Sequence, residues 1–354
     1  MKTKVIFLTL LLLALLTSAY FLCLNFCPQN LLSPFTRESI KVNNLYPKLT
    51  EKITIKDPLQ LTKVKEITSL KDIPRYLVYN PDTRLIYASK AESEKFSPAS
   101  FTKLLTVQTA LDLAEPDKLL TATRSSIDKE PTVLGLKLGE QLTVEELIRA
   151  SIATSANDAA ATLAEGVIAN YDLTLPDFIN LMNHKANLLQ MVDSHFANPE
   201  GYDDPNQYST LLDVVKLIDN LDNYQEIISS AATDRHDLEQ TSTHGFYYLP
   251  NWNGLLKVYP GANGLKIAYT EEAGYGTIVT AQKDGINIVA IVSGADSIPQ
   301  RDLAAAALLD HAFIAERIAP INLTKSRLQP RYKQWSDLAK KIRAELEELE
   351  NKND

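Results

Sequence analysis

Ser100 and Lys103 stand three residues apart in the run SPASFTKLLTVQTALDL, Ser97 to Leu113. Residues three apart on a helix share a face, so the lysine amine can reach the serine hydroxyl. A serine hydroxyl attacks poorly at neutral pH unless a base takes its proton. A lysine serves as that base once burial or a neighbouring positive charge lowers its pKa towards the working pH. Phe101, Leu104, Leu105, Val107, Ala110 and Leu111 surround the pair on several sides, which predicts a central, buried helix. Backbone N–H groups at that helix's N-terminus have no helical partner and can stabilise an oxyanion. The spacing alone is weak, because S-x-x-K recurs at Ser126 and Lys129 in the polar run TATRSSIDKEPT.

Two downstream groups give the pair company. Ser155-Ala156-Asn157 is the only S-x-N in the chain and falls between two expected helices. There the serine can relay a proton while the asparagine orients Lys103 or binds a substrate amide. Lys266, in Gly264-Leu265-Lys266, enters an expected strand, where it can supply positive charge for an anionic substrate and help depress Lys103. An isolated lysine of this kind would also serve to blunt an exposed sheet edge.

The elements that must position these groups are legible in outline. Tyr76–Asn80 and Arg84–Ala88 bracket Pro81-Asp82-Thr83 as two strands and a tight turn. Thr143 with Glu146 forms a capping box opening a helix to about Ala153. Further helices are expected at Asp158–Ala169, from Pro176 to Gln190 and at Thr210–Leu221. After Tyr247 the pattern turns to period two, with strands at Leu255–Val258, Gly264–Tyr269, Tyr275–Gln282 and Ile286–Ser293. An alanine-rich helix, Arg301–Ile314, closes the body. The expected fold is α/β, an antiparallel sheet flanked by helices with a helical lobe inserted between strands.

The net charge of −8, with no Lys/Arg-rich run, argues against nucleic acid as a partner. The 5 histidines are scattered and form no metal-ligand cluster. Lys2 and Lys4 precede an uncharged run, Val5–Leu24, about the 20 residues that cross a bilayer. With the lysines held in the cytoplasm, the body lies outside. Residues 1–27 are therefore a transmembrane anchor or a signal peptide, with the uncleaved anchor favoured, and the protein belongs at the extracytoplasmic face. Both cysteines, Cys23 and Cys27, lie in this segment, so the body has no disulfide. Residues 28–66 read as a Pro-containing spacer with one short strand at Lys52–Lys56, 67–318 as the catalytic domain, and 319–354 as a polar tail. The tail turns helical from Ser336 and carries a narrow stripe of Leu338, Ile342, Leu346 and Leu349.

Taken in order, these motifs resemble the serine DD-peptidases, the penicillin-binding enzymes of the DD-peptidase/β-lactamase-like fold. Among them the low-molecular-mass D-alanyl-D-alanine carboxypeptidases are the nearer match. PAS-x-TK stands at Pro98–Lys103, SANDAA at Ser155–Ala160, HFANPEGYDDPNQYSTLLDVV at His195–Val215, and GLK-x-x-YT-x-EAGY at Gly264–Tyr275. The resemblance spans roughly Ile67 to Phe313. It implies Ser100 as the acylated nucleophile, Lys103 as its base, Ser155 and Asn157 as the second motif, and Lys266 as the third. It also implies an oxyanion hole from the N–H groups of Ser100 and Tyr269, and Arg301 on the substrate's terminal carboxylate. The implied substrates are peptidoglycan stem peptides, the implied inhibitors β-lactams, and no cofactor is called for. One departure stands out: the family's K-T-G is Lys266-Ile267-Ala268 here. That change leaves open a carboxypeptidase, a binding protein with impaired catalysis, or a DD-endopeptidase acting where no free carboxylate is presented.

Overall fold

A computed structural model describes residues 41–60 and 67–353, with side chains as far as residue 344. The expected anchor or signal segment, with Cys23 and Cys27, lies outside the described residues. Among those described, no helix is long and apolar enough to cross a membrane.

From Tyr46 onward the chain forms one unit. In chain order its elements are α1 (Tyr46–Thr50), β1 (Arg75–Tyr79), β2 (Ile86–Lys90), α2 (Thr102–Leu113), β3 (Leu119–Thr121), α3 (Arg124–Ile127) and β4 (Gln141–Thr143). Then come α4 (Val144–Arg149), α5 (Asn157–Ala169), α6 (Leu175–Leu188), α7 (Leu211–Asp219), α8 (Gln225–Ala232), β5 (Arg235–Leu238) and β6 (Tyr247–Pro250). The last are β7 (Ala262–Thr270), β8 (Gly274–Lys283), β9 (Ile286–Ala295), α9 (Ile298–Ala315) and α10 (Lys325–Asn353).

The main sheet runs β2-β1-β9-β8-β7 and its pairs are antiparallel. Its first two strands come from the start of the unit and its last three from the end. Everything between β2 and β7 is therefore an insertion, the helical lobe expected from the sequence. Helix α9 covers one face, burying Ala305, Leu308, Leu309, Ala312 and Phe313 against Tyr76, Val78, Val279, Ala290 and Val292. The lobe is built around α2, whose residues are all buried except Asp112. With apolar positions on several sides, α2 has no single water-facing stripe, and it lies inside accordingly. Thr143 caps α4 through the Glu146 N–H and receives the Glu146 carboxylate in return, as the sequence indicates.

Three expectations are revised. Leu255–Val258 is a turn rather than a strand. Asn251 Oδ1 accepts the Asn253 N–H and Asn253 Oδ1 accepts the Leu255 N–H, so the asparagines bend the chain before a ladder can form. Lys52–Lys56 forms no strand, and residues 46–60 lie along the body instead of standing off it. Leu49 is fully buried, the Thr54 N–H donates to Asn220 Oδ1, and Gln60 bridges to Leu85. The C-terminal helix starts at Lys325, well before Ser336. Its first turns are docked by a buried Leu328, by Tyr332 Oη donating to Asp302 Oδ2 at 2.8 Å, and by Trp335 edge-on to Trp252 at 5.3 Å. Removing a buried aromatic side chain costs about 3–5 kcal/mol. Trp335→Ala should therefore lower Tm by roughly 6–15 °C for a domain of this size, measured by calorimetry. An unchanged Tm would mean that α10 contributes nothing to the folded body.

Candidate active site

Ser100 sits on the 3-10 turn Ala99–Phe101 that leads into α2, and Lys103 follows within the helix's first turn. Lys103 Nζ lies 2.9 Å from Ser100 Oγ, 2.7 Å from Asn157 Oδ1 and 2.5 Å from the Glu200 carbonyl. A neutral amine has two N–H groups and one lone pair. The Asn157 and Glu200 oxygens take the two N–H groups, which leaves the lone pair facing the serine hydroxyl. Lys103 is fully buried, and burial lowers its pKa to about 7, while the Glu200 and Asp158 carboxylates pull the other way. Desolvation wins, so near neutral pH a substantial fraction of the amine is free to accept a proton.

The second pair stands beside the first. Lys266 Nζ, on β7, donates to Ser155 Oγ at 2.7 Å and to the Ile267 carbonyl at 3.0 Å. Ser155 ends a π-turn, Ala150–Thr154, in a left-handed conformation (φ 65°), and α5 starts at Asn157 two residues later. One tight turn thus presents Ser155 to Lys266 and Asn157 to Lys103. Burial lowers the Lys266 pKa well below the usual lysine value, and the charges of Lys103 and Arg301 add to this. Two buried ammonium groups repel, so the pair favours states with at least one neutral amine.

Strand β7 is the sheet's edge, and the Ala99–Phe101 turn packs beside it. Phe101 rests over Gly276 of β8, where a Cβ would come within 3.0 Å of its ring. The backbone of Tyr269 therefore lies on the strand that flanks the serine, while its side chain is exposed and stacks on Tyr275 at 4.3 Å. Ile267 pairs with Thr277 and Ala268 with Gly276, and Ala268 is buried. Arg301, near the start of α9, is 2% exposed and already engaged. Its Nε donates to Asp302 Oδ1 at 2.7 Å and its Nη2 to the Trp252 carbonyl at 3.3 Å. Its charge reaches Lys266, but a substrate carboxylate would have to compete with Asp302 for the guanidinium.

Ser100, Lys103 and Asn157 thus form one hydrogen-bonded group and Ser155 with Lys266 a second, the two joined through the Ser155–Asn157 turn, with Tyr269 and Arg301 at the margins. Sequence reasoning quoted the His195–Val215 stretch for the resemblance but gave no role to Glu200 and Gly201, which complete the site. The Glu200 carbonyl is a partner of Lys103, and Gly201 packs on the Ala99–Ser100 backbone so closely that only a residue without Cβ fits. A glycine following a buried acid inside the His195–Val215 stretch was the available signal. The second S-x-x-K forms no pair. Ser126 Oγ caps α3 and bonds Thr162, while Lys129 Nζ reaches Glu200 Oε1 at 2.7 Å. His195 is exposed, with Nδ1 2.6 Å from the Asn206 carbonyl.

Comparison with known proteins follows the same lines. Residues 66–297 match the D-alanyl-D-alanine carboxypeptidase family. The D-alanyl-D-alanine carboxypeptidase DacF of Bacillus subtilis is 29% identical over 245 residues, covering 68% of this chain and 62% of its own length. DacD of Escherichia coli is 30% identical over 242 residues, covering 64% and 59% respectively. Among solved structures, the Streptomyces K15 DD-transpeptidase aligns with a TM-score of 0.65 at 25% identity, over 71% of this chain and 100% of its own. The carboxypeptidase DacD of Francisella tularensis shares the fold, with a TM-score of 0.62 at 22% identity.

Proposed function

Because the chain belongs to the D-alanyl-D-alanine carboxypeptidase family, we propose that it removes the terminal D-alanine of peptidoglycan stem peptides through an acyl-enzyme on Ser100. The observation that carries this reading is the Lys103 amine, whose two acceptors leave its lone pair for Ser100 Oγ. Lys103 takes the hydroxyl proton as Ser100 Oγ attacks the carbonyl carbon between the two D-alanines. The N–H groups of Ser100 and Tyr269 stabilise the oxyanion. The C–N bond then breaks as Lys103 returns that proton, relayed by Ser155 beside Lys266, to the nitrogen of the departing D-alanine, which leaves Lys103 neutral again. Water attacks the ester and gives one proton to Lys103, which passes it to Ser100 Oγ as the ester bond breaks and the shortened peptide leaves as the acid. β-Lactams would acylate the same serine and persist there. We read residues 1–27 as an anchor that holds the body, 67–318, at the extracytoplasmic face of the membrane, or as a signal peptide whose cleavage releases it there; the Lys2/Lys4 flank and the apolar run Val5–Leu24 support this.

The test is D-alanine release from a pentapeptide muropeptide, beside a Ser100→Ala control. Release that vanishes in the control supports the carboxypeptidase, and none from folded protein sinks it. A second reading, a peptidoglycan-binding protein of impaired activity, is favoured by Ile267 and Ala268 together with the engaged state of Arg301. A missing donor to a charged group is worth about 1.5–3 kcal/mol, or one to two decades. Ile267→Thr with Ala268→Gly should therefore raise D-alanine release by roughly 10–100-fold. A rate unmoved by the double change would show that the hydroxyl and the glycine are not what limits this site. Cleavage of cross-linked dimers in preference to pentapeptides would instead favour the endopeptidase.

A further inference from the structure

The Glu200 carboxylate beside the Lys103 amine, and the lysine that pairs with it, have no part in the steps above. Glu200 is 2% exposed, and its carbonyl accepts a Lys103 N–H, so its carboxylate is fixed close to the base. That carboxylate is answered by Lys129, at 2.7 Å, from the segment that follows α3. The same segment is stitched to the site at two further points. The Glu130 carbonyl accepts Asn157 Nδ2 at 2.8 Å and Tyr202 Oη at 3.0 Å, and the Thr132 carbonyl accepts the Asn157 N–H at 2.7 Å. With Nδ2 committed to Glu130, the Asn157 amide can turn only its Oδ1 to Lys103. Residues 129–132 are thus a strap that orients Asn157.

We propose that Lys129 and Glu200 act as an electrostatic clamp, holding this strap in place and offsetting part of the negative charge that Glu200 presents to Lys103. The other charges facing Lys103 are Asp158 and Lys266, with Arg301 acting on Lys266. Asp158 is held by the backbone, its carboxylate accepting the N–H groups of Leu134, Gly135 and Leu136. Glu200 is the acid whose charge is balanced by a single side chain, and that side chain sits 16% exposed at the edge of the site. Lys129 is a positioning residue, since it acts through Glu200 and touches neither Ser100 nor Lys103.

This inference rests on the serine-acylation reading, and its test separates the two. The full chain is labelled with a fluorescent penicillin across pH 5 to 9, and the labelling rate rises as Lys103 loses its proton. A neighbouring carboxylate shifts a pKa by about one unit or more. Lys129→Met leaves Glu200 unbalanced, so the midpoint moves up and labelling at pH 7 falls about tenfold, recovering at high pH. Glu200→Gln moves the midpoint down, the double variant returns it towards the original, and Lys129→Arg preserves it. Midpoints that stay fixed while the plateau falls would overturn the clamp and leave the pair a merely structural one. Should the unaltered protein take no label, the acylation reading fails by itself. The clamp is then judged on the Lys103 13Cε resonance, titrated in the unliganded protein and in the Lys129→Met variant. Opposed midpoint shifts in the Lys129 and Glu200 variants support it there, and coincident curves refute it.

Discussion

Lys103→Met is expected to slow penicillin acylation of Ser100 by about 10²–10⁴-fold, the range a positioned general base supplies. Methionine fills a similar volume but cannot accept the serine proton. It also leaves Asn157 Oδ1 and the Glu200 carbonyl without the donor they have in the folded protein, each at a cost of about 1–3 kcal/mol. The variant should therefore melt several degrees lower as well as react slowly, and Tm measured beside the rate separates the two effects. Ser100→Ala supplies the reference, since it removes the nucleophile and should form no adduct at all. In the unaltered protein the rate should climb with pH through about 7, because burial holds the amine near that value and only the neutral form accepts a proton. Below that range the ammonium dominates and the rate falls about tenfold per pH unit. Near-normal acylation by Lys103→Met would move the base to Ser155 and Lys266.

What could be read in advance was set by short-range chemistry. The Ser100–Lys103 pair depends on one helical turn, the Thr143 cap on three residues, and the β8–β9 hairpin on Asp284-Gly285 between two period-two runs, so local rules sufficed for each. The apolar girdle of α2 foretold its burial for the same reason. Other features depend on partners far along the chain. Lys129 and Glu200 stand on different loops, and nothing near either residue announces an ion pair. Lys129 was instead noticed for a spacing to Ser126 that carries no contact. The two-stranded sheets β3–β4 and β5–β6 offer 3 and 4 residues per strand, too few for periodicity to register. Leu255-Leu256 satisfies an apolar pattern that asparagine side chains overrule. Arg301 entered through the family resemblance, and the structure adds what the resemblance could not, a neighbouring carboxylate that already occupies it. Helix α10 reads as mostly polar because only Leu328, Arg331, Trp335 and Ile342 are buried among its described side chains.

Gly201→Ala should be nearly as damaging as removing the base, although glycine carries no chemistry. Gly201 has φ +90°, where an L side chain is strained by roughly 1–2 kcal/mol. The larger effect is contact. A Cβ there would lie 2.0 Å from the Ala99 carbonyl oxygen, 2.5 Å from its carbon and 3.0 Å from the Ser100 nitrogen. These are backbone atoms of the turn that carries the nucleophile, so the overlap cannot be relieved by swinging a side chain aside. Either the 99–101 turn moves, carrying Ser100 Oγ away from Lys103, or the 200–201 backbone retreats and takes with it the carbonyl that holds the amine. A displacement of about 1 Å in such a site costs on the order of 10²-fold in rate. Gly139→Ala is the matched control, because Gly139 has a similar φ of +87° but open space where its Cβ would stand. It should lose stability through strain alone and keep its acylation rate. Equal acylation by the two variants would mean that the close approach of Gly201 does not hold Ser100 in place. Loss of acylation confined to Gly201→Ala would show that the stretch after His195 is the wall against which nucleophile and base are set.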